Sequence, residues 1–465
     1  MKYKFIRKNL NTIRWVKRII EPIKAYLKNR FDSINNAKLK QNLLNAIPFW
    51  LGALITGVVA VIYAKLFLIA EEGTLYLFHL NKWLFFAVTP LCFIVSWWLV
   101  NKYAPYSRGS GIPQVSAAIE LANPKKYYLV DQLLSIRVLL IKIISSLIMV
   151  FGGGVVGREG PTIQIAGSIF KKINDWLPDW YPKVSKKNML ITGAASGLAA
   201  AFNTPLGGIV FAIEELTKTH FSYFKSALLT GVIIAGLTAL NILGPYLYLG
   251  YPKVNHLSWW IIFPVIISAI ISGYLGCTMT RIILYVLKKK SVLQTNTKKI
   301  IYCIVAGLLV AALGILINEE AFGTGKELMQ TALLTENKYV EWYMPLLRFF
   351  GPIISFTNGG AGGVFAPALS AGASIGSAVA EWFSLIDSNA NLIILCGMVS
   401  FLTGVTRSPF TSAILVLEMT TAESIIFYLM IAGLMANLVS ALVSKHSFYD
   451  QMKDQYLKEL ESETK

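Results

Sequence analysis

Charge is scarce in this sequence. Asp, Glu, Lys and Arg together make up 15% of 465 residues, where a soluble domain carries about a quarter. Too few charged groups remain to clothe a water-soluble fold of this size, so lipid is the expected solvent. Histidine and cysteine are also sparse. His79, His220, His256 and His446 are scattered, and Cys92, Cys277, Cys303 and Cys396 each stand alone in an apolar run. No spacing suits zinc or a disulfide framework, so neither a metal centre nor a cofactor is expected. There is no His-Glu-x-x-His zinc helix, and no serine nucleophile elbow is expected; an intramembrane enzyme is therefore disfavoured. The opening residues lack the short apolar core and cleavage site of a signal peptide.

What is present is apolar. Hydrophobic residues supply 55% of the chain, enough for a dozen or more segments of about 20 residues. Basic charge gathers at the start. Residues 1–45 hold twelve Lys and Arg against Glu21 and Asp32, a net of +10 within an overall +18. Beside the first apolar run, such a stretch belongs in the cytoplasm by the positive-inside rule. Its expected partner is anionic lipid, not nucleic acid. Leu10 to Lys28 carries the loose helical apolar pattern of a helix lying on the membrane surface.

Several apolar runs are interrupted, as at Gly152-Gly153-Gly154, Thr204-Pro205, Gly359-Gly360 and Ser408-Pro409. Hydrocarbon cannot satisfy an opened backbone, so broken helices must be buried in protein or line a wet cavity. That favours a transporter or channel over a structural membrane protein. The sequence also repeats. Ile191 to Pro205 aligns with Leu395 to Pro409 at a shift of 409 − 205 = 204, which matches Gly193 with Gly397, Ser196 with Ser400 and Glu214 with Glu418. Upstream, Gly154 to Pro161 resembles Gly360 to Pro367 at a shift of 367 − 161 = 206. Chance likeness among Gly- and Ala-rich helices is the competing explanation, and two aligned stretches in the same order argue against it. The chain thus divides into a basic cytoplasmic segment (1–45), two membrane repeats (46–250 and 256–445), and a C-terminal helix with a short cytoplasmic tail (446–465). Paired halves with interrupted segments point to a substrate site at their interface, near the midplane.

Three glycine–proline motifs stand out: Gly109-Ser110-Gly111-Ile112-Pro113, Gly157-Arg158-Glu159-Gly160-Pro161 and Gly363-Val364-Phe365-Ala366-Pro367. Glycine lets the chain turn sharply and proline is tolerated in a first helical turn, so each reads as a helix start within the membrane. Helix N-termini offer unpaired N–H donors and a partial positive charge. Several converging on one point make an anion site without the grip of a full cation. A single such motif serves helix packing as well; three, two of them at matching points of the repeat, favour the site. Glu159 is a carboxylate in a membrane motif, a functional hypothesis by default. At a helix start it would take an anion's place when charged and swing away when protonated; pairing with Arg158 alone is the competing reading. Glu214 and Glu418 match as symmetric structural residues, whereas Glu215 falls opposite Met419 and is the odd one out. Its competing role is a helix-end carboxylate facing water.

In order and spacing, from about residue 50 to 449, these motifs resemble those of the CLC family of chloride channels and proton-coupled chloride transporters. The resemblance implies an all-α integral membrane protein of two inverted repeats, with tilted, partly discontinuous helices whose N-termini meet at a midplane anion site. It also implies a homodimer with one pore per subunit. Ser110 resembles the serine whose hydroxyl donates to the central chloride, a role compatible with capping a helix. Val364 and Phe365 match positions whose backbone N–H groups face the anion. Tyr449, in Ser447-Phe448-Tyr449-Asp450, resembles the tyrosine that closes the site from the cytoplasm; interface anchoring is the alternative. Glu159 resembles the gating glutamate and external proton site, and Glu215 the internal proton glutamate of the transporters. The remaining motif residues, Gly109, Gly111, Ile112, Pro113, Gly157, Arg158, Gly160, Pro161, Gly363, Ala366 and Pro367, shape the selectivity loops. Two positions depart from the pattern: Gln114 and Ser116 stand where many members carry acids. The expected function is exchange of chloride for protons in a bacterial inner membrane, with chloride as substrate and no cofactor. A passive voltage- or pH-gated chloride channel is the alternative. Paired C-terminal regulatory domains are not expected.

Overall fold

Long apolar runs broken by Gly-Pro pairs cannot pair as strands, because their length and small residues suit helix on helix. In the computed structural model, which describes residue 22 and residues 37–217, 225–244, 247–255, 257–420 and 422–463, the elements are helical apart from two isolated bridges. The surface helix expected at Leu10–Lys28 lies outside the described residues, as do His220 and His256.

The first half runs α1 (Ala37–Leu80), α2 (Phe85–Tyr103), α3 (Ile112–Glu120), α4 (Ile136–Phe151), α5 (Glu159–Trp176), α6 (Lys186–Phe202), α7 (Pro205–Phe211) and α8 (Lys225–Leu243). The second runs α9 (Ile262–Ser291), α10 (Asn296–Ala312), α11 (Lys326–Leu334), α12 (Met344–Thr357), α13 (Phe365–Trp382), α14 (Asp387–Thr406), α15 (Pro409–Glu418) and α16 (Ile426–Val443). Helix α17 (Phe448–Glu463) follows both. The order of long and short helices is the same twice: α3 and α11 have 9 residues each, and α5 and α13 have 18 each. Helix α1 begins at Ala37, within the stretch read from sequence as the basic segment, so the first membrane helix extends beyond its apolar run.

Local backbone repeats as well. Left-handed Asn203 (φ 59°) ends α6 and left-handed Arg407 (φ 66°) ends α14. The halves meet antiparallel: Gly157 donates to the Gly363 carbonyl at 2.7 Å and Gly363 donates to the Gly157 carbonyl at 2.8 Å. That reciprocity is the signature of a local two-fold axis. Counterparts pack across it, α2 on α10, α5 on α13 and α7 on α15. Glu214 and Glu418 exchange places in the same way. Glu214 accepts from the Thr411 N–H (2.6 Å) and hydroxyl (2.7 Å), and Glu418 accepts from Leu206 N–H (3.1 Å) and Gly207 N–H (2.8 Å). Each acid caps the start of the other half's short helix.

Small residues decide what lies inside. Helices α6 and α14 are almost wholly buried, because Gly and Ala let neighbouring backbones touch. A Cβ on Gly397 of α14 would lie 3.0 Å from Gly376 Cα, and one on Gly372 of α13 would lie 2.7 Å from Met398 Cα. This seam accounts for Gly372-Ala373-Ser374-Ile375-Gly376, which does have the Gly-x-Ser-x-Gly spacing of a nucleophile elbow. It sits mid-helix, where the Ser374 hydroxyl donates to the Ser370 carbonyl at 2.9 Å, whereas an elbow needs a strand-to-helix turn. Outer helices present apolar side chains outward, among them Ile62, Leu237, Phe427 and Leu442. Among the described residues eight helices are long and apolar enough to span a bilayer.

Candidate functional site

Helices begin at Ile112, Glu159 and Phe365, each inside its glycine–proline motif. Backbone pairing gathers the three starts. Gly109 donates to the Gly360 carbonyl at 2.8 Å and Gly362 donates to the Gly109 carbonyl at 3.0 Å, beside the Gly157–Gly363 exchange. Gly111 caps α3 with φ 110°, a conformation for which glycine is the natural choice. A Cβ there would sit 2.7 Å from the Gly160 carbonyl oxygen, so the second motif packs directly on the first.

Ser110, Glu159, Val364, Phe365 and Tyr449 are all buried at this junction, the last at the start of α17. The Ser110 hydroxyl lies over Gly160 and faces the Tyr449 hydroxyl. The Glu159 carboxylate lies by its own N–H and that of Ala366, with the Arg158 charge also acting on it. Among the described residues, Ser110 Oγ, Tyr449 Oη and both Glu159 carboxylate oxygens form no complete hydrogen bond. Buried polar atoms rarely go unsatisfied. Here hydroxyl donors and first-turn N–H groups face one space, the chemistry of an anion receptor. Tyr449 is 1% exposed, which does not fit an anchor at the lipid interface.

Glu215 lies apart from this cluster, in a π-helical turn (Ala212–Thr217) that follows α7. It is 8% exposed and accepts from the Ser408 hydroxyl at 2.7 Å, so it is not a water-facing helix end. The fields of Glu215 and Glu159 both reach Tyr449. Gly109, Gly157 and Gly363 form the crossing backbone. Pro113, Pro161 and Pro367 each fall in a first turn, where no intrahelical N–H bond is lost.

Sequence reasoning passed over Lys142. It lies on α4, is fully buried, and donates to the carbonyls of Ser107 (2.9 Å) and Gly109 (2.7 Å). A lysine inside a spanning helix is costly unless its protons are bonded. Here it fixes the loop that presents Ser110. The signal was available as a lone cation within an apolar run. Gln114, one of the two departures, donates to the Arg108 carbonyl (2.6 Å) and the Tyr456 hydroxyl (3.2 Å), tying α3 to α17. Arg108 and Glu459 form an ion pair across the same seam, and Lys453 pairs with Glu120 at 3.0 Å. Burial opposes the charge on Lys453, but the Glu120 carboxylate outweighs it and leaves the ammonium above its ordinary range.

A family model described as voltage gated chloride channel matches residues 91–441. The chain belongs to the voltage-gated chloride channel family. Relatives within reach of this family include the H(+)/Cl(−) exchange transporter ClcA of Citrobacter koseri, 30% identical over 378 residues that cover 78% of this chain and 77% of that protein. The protein of the same name from Cronobacter sakazakii is 29% identical over 390 residues, 81% of each. A slow cyanobacterial Cl−/H+ antiporter shares the fold, with a TM-score of 0.78 at 24% identity over 89% of this chain and 98% of that one. Membership of the voltage-gated chloride channel family makes the chain a multi-pass integral membrane protein of the transport class.

Proposed function

We propose that the chain is a secondary antiporter that exchanges chloride for protons. The observation that carries this reading is the meeting of the Ser110 and Tyr449 hydroxyls with the Glu159 carboxylate at converging helix starts, none of them in a complete hydrogen bond among the described residues. Chloride is held by Ser110, Tyr449 and the N–H groups of Val364 and Phe365. When charged, Glu159 competes with the anion for the N–H groups of α13. When protonated, it no longer needs them and swings aside, so proton uptake and anion passage are linked at one residue. Glu215, whose field reaches Tyr449, relays protons to the cytoplasm. Exchange needs no cofactor and no enzymatic step.

The same reading puts the protein in a bacterial inner membrane with residues 1–45 cytoplasmic. It assembles as a homodimer with one pore per subunit, built from repeats at 46–250 and 256–445 and closed by residues 446–465. The names of the ClcA relatives support exchange over passive flow. The test uses purified protein in liposomes: a chloride gradient should drive protons uphill. Chloride flux with no uphill proton movement would replace the antiporter by a passive channel. A detergent-solubilised mass of one subunit with full transport would remove the dimer.

A further inference from the structure

The second half carries a counterpart of the Ser110 loop that exchange, as derived above, does not use. Gly323-Thr324-Gly325 precedes α11 as Gly109-Ser110-Gly111 precedes α3, at a shift of 323 − 109 = 214. The glycines match in backbone: φ is 61° at Gly323 and 63° at Gly109, and it is positive again at Gly325 (78°) and Gly111 (110°). Behind each loop stands a buried basic side chain from the helix that follows in symmetry, Lys142 of α4 and Arg348 of α12, with 348 − 142 = 206. Arg348 donates to the carbonyls of Gly323 (3.0 Å) and Phe322 (3.1 Å), as Lys142 does to those of Ser107 and Gly109. Thr324 is therefore presented as Ser110 is.

One group differs. A carboxylate of the protein itself rests on the second loop: Glu71 of α1 accepts from the Thr324 hydroxyl at 2.8 Å and the Thr324 N–H at 3.2 Å. Arg348 is 1% exposed, its Nε has no hydrogen-bond partner, and it has no ion-pair partner among the described residues. Its guanidinium is pressed against the start of α11, where a Cβ on Gly325 would lie 2.6 Å from Cζ. Together with Glu71, Thr324 and Lys326 it lines a cavity of about 470 Å³ by the far end of α1. A nine-residue helix start, a hydroxyl donor and a buried guanidinium with an unused N–H are the parts of an anion receptor.

We propose that Thr324, with Arg348 behind its loop, forms a second anion-binding site, for a small monovalent anion, whose Thr324 donors the Glu71 carboxylate occupies as a tethered ligand. With the N-terminus cytoplasmic, the site stands in the outer mouth. Four further carboxylates, Glu72, Glu319, Glu320 and Glu327, line the same cavity. Their repulsion grows with the charge of the visitor, so the mouth selects against divalent anions while a halide displaces one carboxylate for another charge of −1. The ligand class rests on the chloride reading above, but the residues are separate from that site.

Bromide marks both sites at once. Crystals of full-length Glu71→Ala grown in bromide should show two anomalous peaks, one between Ser110 and Tyr449 and one within about 3.5 Å of Thr324 and Arg348. Adding Thr324→Val should abolish the second and keep the first. Calorimetric titration of bromide into Glu71→Ala should need two sites, the outer one about tenfold or more tighter than in wild type, where Glu71 competes. Glu71→Gln keeps the side chain and its packing, and should show the outer peak at higher bromide than Glu71→Ala. A central peak with no outer peak in either variant overturns the second site and leaves the chloride reading intact. The lack of both peaks overturns both.

Discussion

Before α3, Lys142 holds the carbonyls of Ser107 and Gly109, and the Ser110 hydroxyl faces the Tyr449 hydroxyl without a complete hydrogen bond. Before α11, Arg348 holds the carbonyls of Phe322 and Gly323, and the Thr324 hydroxyl is bonded to Glu71. The scaffold is the same; the occupant is not. Acids at the ends of α7 and α15 tell a similar story. Glu214 and Glu418 cap each other's half in a symmetric exchange, whereas Glu215 bonds Ser408 and its counterpart Met419 is a buried apolar residue. Where the two-fold is kept, residues hold the halves together. Where it is broken, a titratable group has been left at only one end of the site. The proposed exchange thus lies in the departures from the molecule's own symmetry.

The largest effect expected from breaking that asymmetry is the loss of coupling. Glu159→Ala and Glu215→Ala should each abolish uphill proton transport while chloride still crosses, measured as paired chloride and proton flux in liposomes. Only Glu159→Ala should also remove the pH dependence of chloride flux, since Glu215→Ala retains a working gate. Full coupling in Glu215→Ala would send the proton by another route, with Glu214 as the next residue to change.

The symmetric acids sharpen the contrast. Glu214→Ala and Glu418→Ala should each destabilise the protein by about 1–3 kcal/mol, because first-turn N–H donors at the start of α15 or α7 lose their acceptor. The two losses should be alike, and neither should change the proton-to-chloride ratio. Thermal unfolding in detergent measures the first and flux the second. Ser110→Pro should leave folding intact and shift selectivity from chloride toward nitrate, read as the ratio of the two fluxes, since it removes one hydroxyl donor on one side only. Smallest of all, Lys453→Ala breaks a partly exposed pair with Glu120 and should cost under about 1 kcal/mol, with anion selectivity unchanged.

Helix starts were legible because glycine and proline punctuate the chain at positions where the backbone has to turn. The repeat was legible where both halves kept their small residues, at Gly193 with Gly397 and in the 157 and 363 motifs. It was not legible at Gly109-Ser110-Gly111 and Gly323-Thr324-Gly325. There the shift becomes 214 instead of 204 or 206, and the following residues, Ile112-Pro113 against Lys326-Glu327, share no chemistry. Lys142 was hidden for a related reason: one cation in an apolar run does not disturb the reading of a spanning helix, and its carbonyl partners lie more than 30 residues upstream. Tyr449 was visible as a likeness only. What makes it part of the site is the return of α17 against α3, a contact between segments some 340 residues apart that no local pattern announces.

The Gly157–Gly363 exchange has a mechanical consequence. Two backbone bonds of 2.7 and 2.8 Å run across the local two-fold axis, with the Gly109 bonds to Gly360 and Gly362 beside them. Rocking one half against the other would shear all four at once, forfeiting about 1–3 kcal/mol for each buried group left unpaired. Rotation of a single carboxylate about its side-chain bonds breaks none of them. A transporter knotted at its own midpoint in this way has a fixed fulcrum, so the proposed exchange asks for levers the size of one glutamate and one tyrosine.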